Sequence, residues 1–160
     1  MKNRFFLAVA LCGCIGLSSC AALSPAKTNR DITMGIASAG AAANSAENLY
    51  QTKQIPQTDA NRKAINDLGS AYNEAKAAWL VVLTAESVYR GSQNVQLAVC
   101  APGAAATDLK INGAAVSCPQ ATTNAAKAKA QLDADNAALA AKVSALSAST
   151  AAVQSLAKGK

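Results

Sequence analysis

The 160-residue chain contains no histidine, one Trp, three Tyr and two Phe. The missing histidine removes the commonest general base, the Ser-His and Cys-His nucleophile pairs and most zinc sites. Scarce aromatics argue against a roomy binding pocket, which is usually lined by large apolar groups. No Gly-rich phosphate loop, paired-cysteine metal site or catalytic-serine motif stands in their place, and the few carboxylates are dispersed as ordinary surface charge. These gaps point to a protein that is not an enzyme and holds no metal or cofactor. What is abundant is alanine, at 40 positions. Each buried alanine contributes little area, so the length allows a single domain with a thin core. Long, close-packed helices suit such a composition.

Lys2 and Arg4 precede an apolar run from Phe5 to Leu17. Charge followed by a short apolar run has the order of a secretory signal, and the run is too short to span a bilayer as a helix. It ends in Leu17-Ser18-Ser19-Cys20. This stretch resembles the lipobox of bacterial lipoproteins, in which a leucine and two small residues precede the modified cysteine. The resemblance implies that residues 1–19 are a removed signal peptide and that Cys20 carries covalent diacylglycerol and an N-acyl chain. With two or three acyl chains, each buried methylene worth about 0.8 kcal/mol, anchoring is effectively permanent. Leu11-Cys12-Gly13-Cys14 fits the same pattern with a shorter apolar region. Ala21, where an aspartate would retain the protein at the inner membrane, implies the outer membrane, with the chain facing the periplasm or the cell surface.

On that reading Cys12 and Cys14 leave with the signal and Cys20 is acylated, so Cys100 and Cys118 remain in an oxidising compartment. A disulfide between them is the expectation, with two buried free thiols as the alternative. Cleavage also lowers the basic side chains from 15 to 13 against 9 acidic ones, a net +4. A modest positive charge suits an anionic lipid or wall polymer. Scattered lysines and the compartment argue against nucleic acid.

Residues 20–28 read as a lipidated tether, with Thr28 and Asp31 as a capping box opening a helical domain over 29–160. Ile32, Ile36, Ala39, Ala43, Ala46 and Tyr50 recur at helical spacing to about Lys53, with Gly35, Ala39 and Ala43 forming a smooth face for close packing. After Pro56, Thr58 caps a second helix whose seam runs Ile65, Leu68, Tyr72, Ala75, Trp79, Val82, Glu86 and Tyr89. Glu86 on that seam requires a partner such as Arg90. Trp79 reads as a core anchor, with ligand stacking the alternative. Arg90-Gly91 reads as this helix's end.

Residues 92–117 then form a disulfide-closed loop in which Asn112-Gly113 signals a small β-hairpin. The loop is either a recognition surface or an insertion clipped by its disulfide. Ser117 and Gln120 form a capping box for a third helix, whose seam runs Leu132, Asn136, Leu139, Val143, Leu146, Thr150, Val153 and Ala157. Lys127, Lys129, Asp133, Asp135 and Lys142 read as its solvated face.

The sum is an all-α fold: an elongated three-helix, up-down-up bundle. Its loop would sit toward the membrane and its C-terminus away from it. The architecture is similar to alanine-rich helical outer-membrane lipoproteins such as the murein lipoprotein, which implies Lys160 as a peptidoglycan attachment point. It departs from that protein in its length, its disulfide loop and its Gly-Lys ending. The function expected is a structural or interaction module of the envelope. Its partners are the membrane, through the lipid, and an envelope protein, with self-association open. One alternative is an accessory or blocking lipoprotein, of phage-exclusion or secretion-system type, that binds an outer-membrane protein through the Cys100–Cys118 loop. The other is a peptidoglycan-linked lipoprotein held through Lys160.

Overall fold

The computed structural model describes residues 25–103, 110–111 and 113–158, with side chains from residue 31 to 156 within those ranges except at Ile111. Three helices follow one another: α1 (Pro25–Gln51), α2 (Asp59–Cys100) and α3 (Cys118–Lys158). Between α2 and α3, β1 (Lys110–Ile111) pairs antiparallel with β2 (Ala114–Ala115), with Lys110 opposite Ala115 and Ile111 opposite Ala114. The fold is the expected three-helix bundle with a loop closed between the second and third helices. Asn112 lies outside the described residues, while Gly113 supplies the positive φ of +82° that the two-residue turn requires.

Helix ends follow local chemistry. The Asn61 amide donates to Thr58 Oγ1 at 3.2 Å, the expected cap of α2. At Ser117 the capping box is reciprocal: the Gln120 amide reaches Ser117 Oγ at 3.5 Å, and the Ser117 amide reaches Gln120 Oε1 at 3.0 Å. At the end of α1, Lys53 takes φ +57°. Its amide donates to Tyr50 O at 3.1 Å and the next, Gln54, to Leu49 O at 2.8 Å. This is a Schellman ending, built on a lysine where glycine is usual.

Three boundaries and positions differ from the sequence reading. Helix α1 begins at Pro25, so Thr28 and Asp31 fall inside its first two turns; proline is favoured in a first turn, where its missing N–H is not needed. Helix α2 continues through Gly91 to Cys100, which shortens the closed loop to residues 101–117. One interior glycine costs only about 1 kcal/mol, whereas Pro102 and Gly103, the latter at φ +83°, stop the helix outright. On α3, Asn136 is exposed, and the half-buried polar residue of that stretch is Asp135.

Two compact units divide the chain. The first holds α1, the start of α2 as far as Lys76, and α3 from Ala141 onward. Here α1 and α3 both run antiparallel to α2. The core joins Ala39, Ala46, Tyr50, Ile55, Ile65, Leu68, Ala75, Leu146 and Val153. On the small-residue face of α1, Ala39 is buried in this core, Ala43 packs against it and Gly35 is half-buried, while the closest approach falls at Gly40, outside that stripe. Gly40 lies so close to Tyr72 that a Cβ there would stand 2.8 Å from the ring. Thr150 is buried on the α3 seam, its hydroxyl donating to Leu146 O at 2.8 Å.

The second unit, Ala77–Ala140, is a helical hairpin of α2 and α3. Trp79, Val82, Ala85, Val99, Ala121, Ala125 and Leu139 are its buried apolar residues. It is clipped by the Cys100–Cys118 disulfide, with Cα atoms 5.0 Å apart. Within it, Glu86 is largely buried and bonds Arg90 at 2.6 Å, the partner its seam position requires.

Candidate functional site

Cys20 and Lys160, the expected lipid and wall attachment points, lie outside the described residues. The seam residues Ile65, Leu68, Trp79, Val82, Leu139, Leu146 and Val153 are buried, and Tyr72, Leu132 and Val143 half-buried. They form helix cores rather than a site. Among the described residues there is no cluster of three or more His, Cys, Asp or Glu able to hold a metal, and no helix long and apolar enough to cross a membrane.

Two surface hollows carry some chemistry. One lies where α1 turns into α2, an open space of about 390 Å³ bordered by Glu47, Tyr50, Gln57 and Arg62. There Arg62 Nε donates to the Tyr50 hydroxyl at 3.1 Å, and the guanidinium carbon sits 5.8 Å from the ring centre. That hydrogen bond, with the nearby Tyr50 oxygen, raises the Arg62 pKa further above its already high value. Gln57 Nε2 donates to Tyr50 O at 3.1 Å. With its polar groups occupied in holding the turn together, this corner reads as structural. The same holds for Glu74, whose carboxyl is kept below the usual range by Lys142 Nζ at 2.8 Å, with Ser70 adding a weaker bond.

The second hollow belongs to the 77–140 hairpin. Between α2 and α3 runs an apolar groove of about 420 Å³, lined by Leu80, Val81, Thr84, Ala85 and Val88 on one side and Ala128, Gln131 and Asp135 on the other. Leu80, Val81 and Val88 are 56%, 52% and 57% exposed. Of the six large hydrophobic residues exposed in the described structure, five lie between Leu80 and Leu97, and only Met34 lies elsewhere. Leu80, Val81 and Val88 meet in this one groove, and a contiguous apolar patch marks an interaction surface whereas singly scattered exposed residues do not. The groove's polar edge is Gln131, whose Nε2 donates to Asp135 Oδ1 at 3.0 Å.

The sequence points to the loop after α2 as a recognition surface, whereas the exposed apolar groove lies on the helical hairpin itself. The signal is nonetheless present. Ala77, Val81, Thr84, Val88, Gly91 and Val95 repeat with heptad spacing on the side of α2 flanking its inner seam. All are exposed except the half-buried Val95, and nothing lies within 4 Å of where a Gly91 Cβ would stand. No protein-family model matches the chain, and neither the curated proteins nor the solved structures include a significant match to it.

Proposed function

We propose that the protein is a non-enzymatic, lipid-anchored component of the bacterial outer membrane that works by contact, with the 77–140 hairpin as its contact surface. The observation that carries the anchor is Leu17-Ser18-Ser19-Cys20 following a charged start and a short apolar run. The exposed apolar residues Leu80, Val81 and Val88 of its groove support the hairpin as the surface through which it acts. A tethered bundle needs no catalytic group to act this way, which agrees with a composition free of histidine.

The anchor is tested by labelling with palmitate in cells. Incorporation into the full chain is expected, and Cys20→Ser should abolish it while Cys14→Ser leaves it intact. Label that persists in Cys20→Ser sinks the reading. The alternative that a partner is bound through the disulfide loop is favoured by the exposed Lys110, Ala114 and Ala115 of its hairpin. Crosslinkers placed at Ala115 and at Val88 in parallel separate the two surfaces.

A further inference from the structure

In the 77–140 unit two helices are paired, and Leu80, Val81 and Val88 beside the groove are each more than half exposed. The outer seam there has an internal regularity. Its heptad positions alternate a small residue, Ala77, Thr84 or Gly91, with a valine, Val81, Val88 or Val95. Set against a copy of itself in the parallel sense, such a seam stacks like on like, with a void at Gly91 opposite Gly91. Set antiparallel, it pairs Ala77 with Val95, Val81 with Gly91 and Thr84 with Val88, and every layer holds one valine and one small residue. Facing large with small at each level is what fills a helix interface evenly.

The second helix of the hairpin carries a matching pattern. Cys100 is bonded to Cys118 and Gln96 Nε2 reaches Thr122 Oγ1 at 3.3 Å, so residues whose numbers sum to about 218 lie side by side. The midpoint of the outer seam, between Thr84 and Val88, therefore falls near Gln131 on α3. Lys127 stands one helical turn before Gln131 and Asp135 one turn after it. A two-fold axis at that midpoint brings Lys127 of one copy level with Asp135 of the other, twice. The hairpin as a whole is electrically balanced. Arg90, Lys110, Lys127 and Lys129 offset Glu86, Asp108, Asp133 and Asp135, so copies do not repel at long range. Balance also disfavours an anionic lipid or polymer on this face. Two helices over the length of the seam offer roughly 27 by 20 Å, about 1,000 Å² across both copies, which reaches the lower bound of a specific interface.

We infer that the 77–140 hairpin pairs with the same hairpin of a second copy, α2 against α2 and α3 against α3, antiparallel about an axis at the level of Gln131. This rests on the hairpin being the contact surface proposed above and is independent of the lipid anchor.

Cysteine trapping tests it on the full chain, extracted in mild detergent. Two differently tagged forms, Thr84→Cys and Val88→Cys, are mixed and oxidised. The mixed disulfide should exceed either self-linked product several-fold, because Thr84 faces Val88 across the axis. Lys127→Asp should lower the mixed yield several-fold, and adding Asp135→Lys should restore it. Circular dichroism on each variant checks that the helices persist. Self-linked Thr84→Cys exceeding the mixed product, or a charge swap that does not rescue, overturns the antiparallel pairing. Links to a different protein overturn self-pairing while leaving the hairpin as the contact surface, and no link at all overturns both. Palmitate labelling of the same samples reads the anchor separately.

Discussion

At the scale of single residues, the closest approach in the first unit is decided at Gly40. A Cβ there would stand 2.8 Å from Tyr72 Cε2 and 2.9 Å from Cζ, so the ring must move for any larger side chain. Two effects oppose each other in Gly40→Ala. Alanine is favoured over glycine within a helix by about 1 kcal/mol, and the atoms in the way are the far end of a half-buried side chain rather than backbone. The alanine variant should therefore unfold within about 1 kcal/mol of the parent. Gly40→Val adds methyl groups that the displaced ring cannot avoid, and overpacking of this sort costs about 1–3 kcal/mol. Urea unfolding monitored by circular dichroism measures both. In a Tyr72→Leu background most of the valine penalty should disappear, since the two positions are in contact and their effects are not additive. A penalty unchanged by Tyr72→Leu would mean that the ring is not what limits the approach.

At the scale of elements, the disulfide and the last turns of α2 form one device. The helix passes Gly91 and runs on to Cys100 before Pro102 and Gly103 end it, and its final turns are held by the bond to Cys118, by Gln96 on Thr122 and by the burial of Val99. Closing a loop of this size is worth about 3 kcal/mol in the chain-entropy account. Replacing both cysteines, Cys100→Ser with Cys118→Ser, should lower stability by about that amount. Hydrogen exchange should show residues 92–100 losing protection first, whereas loss spread evenly along α2 would place the constraint elsewhere.

This end of α2 is also where sequence reading failed, and the reason is physical. A cationic turn followed by glycine is a helix stop only when no tertiary contact carries the chain further; here Gln96 on Thr122 and the Cys100–Cys118 bond hold the helix beyond Gly91. Thr58 and the Ser117–Gln120 box were legible because caps act within three or four residues. Inner seams were legible because Ile65, Leu68, Leu139 and Leu146 are large. The outer seam is hard to read because Ala77, Thr84 and Gly91 resemble filler in a chain so rich in alanine. At Asn136 the phase is not fixed by the sequence, because between Leu132 and Leu139 stand only aspartates, alanines and the asparagine itself, with no large apolar residue to set it.

At the scale of the whole molecule, stability is distributed unevenly. The contiguous core, including Leu68, Tyr50, Ile55 and Leu146, lies in the unit that contains α1. The 77–140 hairpin has two helices, a few buried apolar side chains, a disulfide and a large share of exposed apolar surface. A region with few buried contacts opens more readily than the core beside it. Pairing of two hairpins would supply the missing cover, and by mass action the stabilisation would grow with protein concentration. In the full chain at rising concentration, exchange protection over 77–100 and 118–140 should therefore increase, while that over 31–76 and 141–156 stays constant. The comparison carries its own control, because a general effect of concentration would move both sets together. Adding Val88→Glu should remove the concentration dependence by burying an unpaired carboxylate in the seam, and leave the first unit's protection untouched. Protection over 77–140 that is already complete in dilute protein, and indifferent to Val88→Glu, would mean that the disulfide-clipped hairpin is stable alone and its apolar face serves something other than self-association.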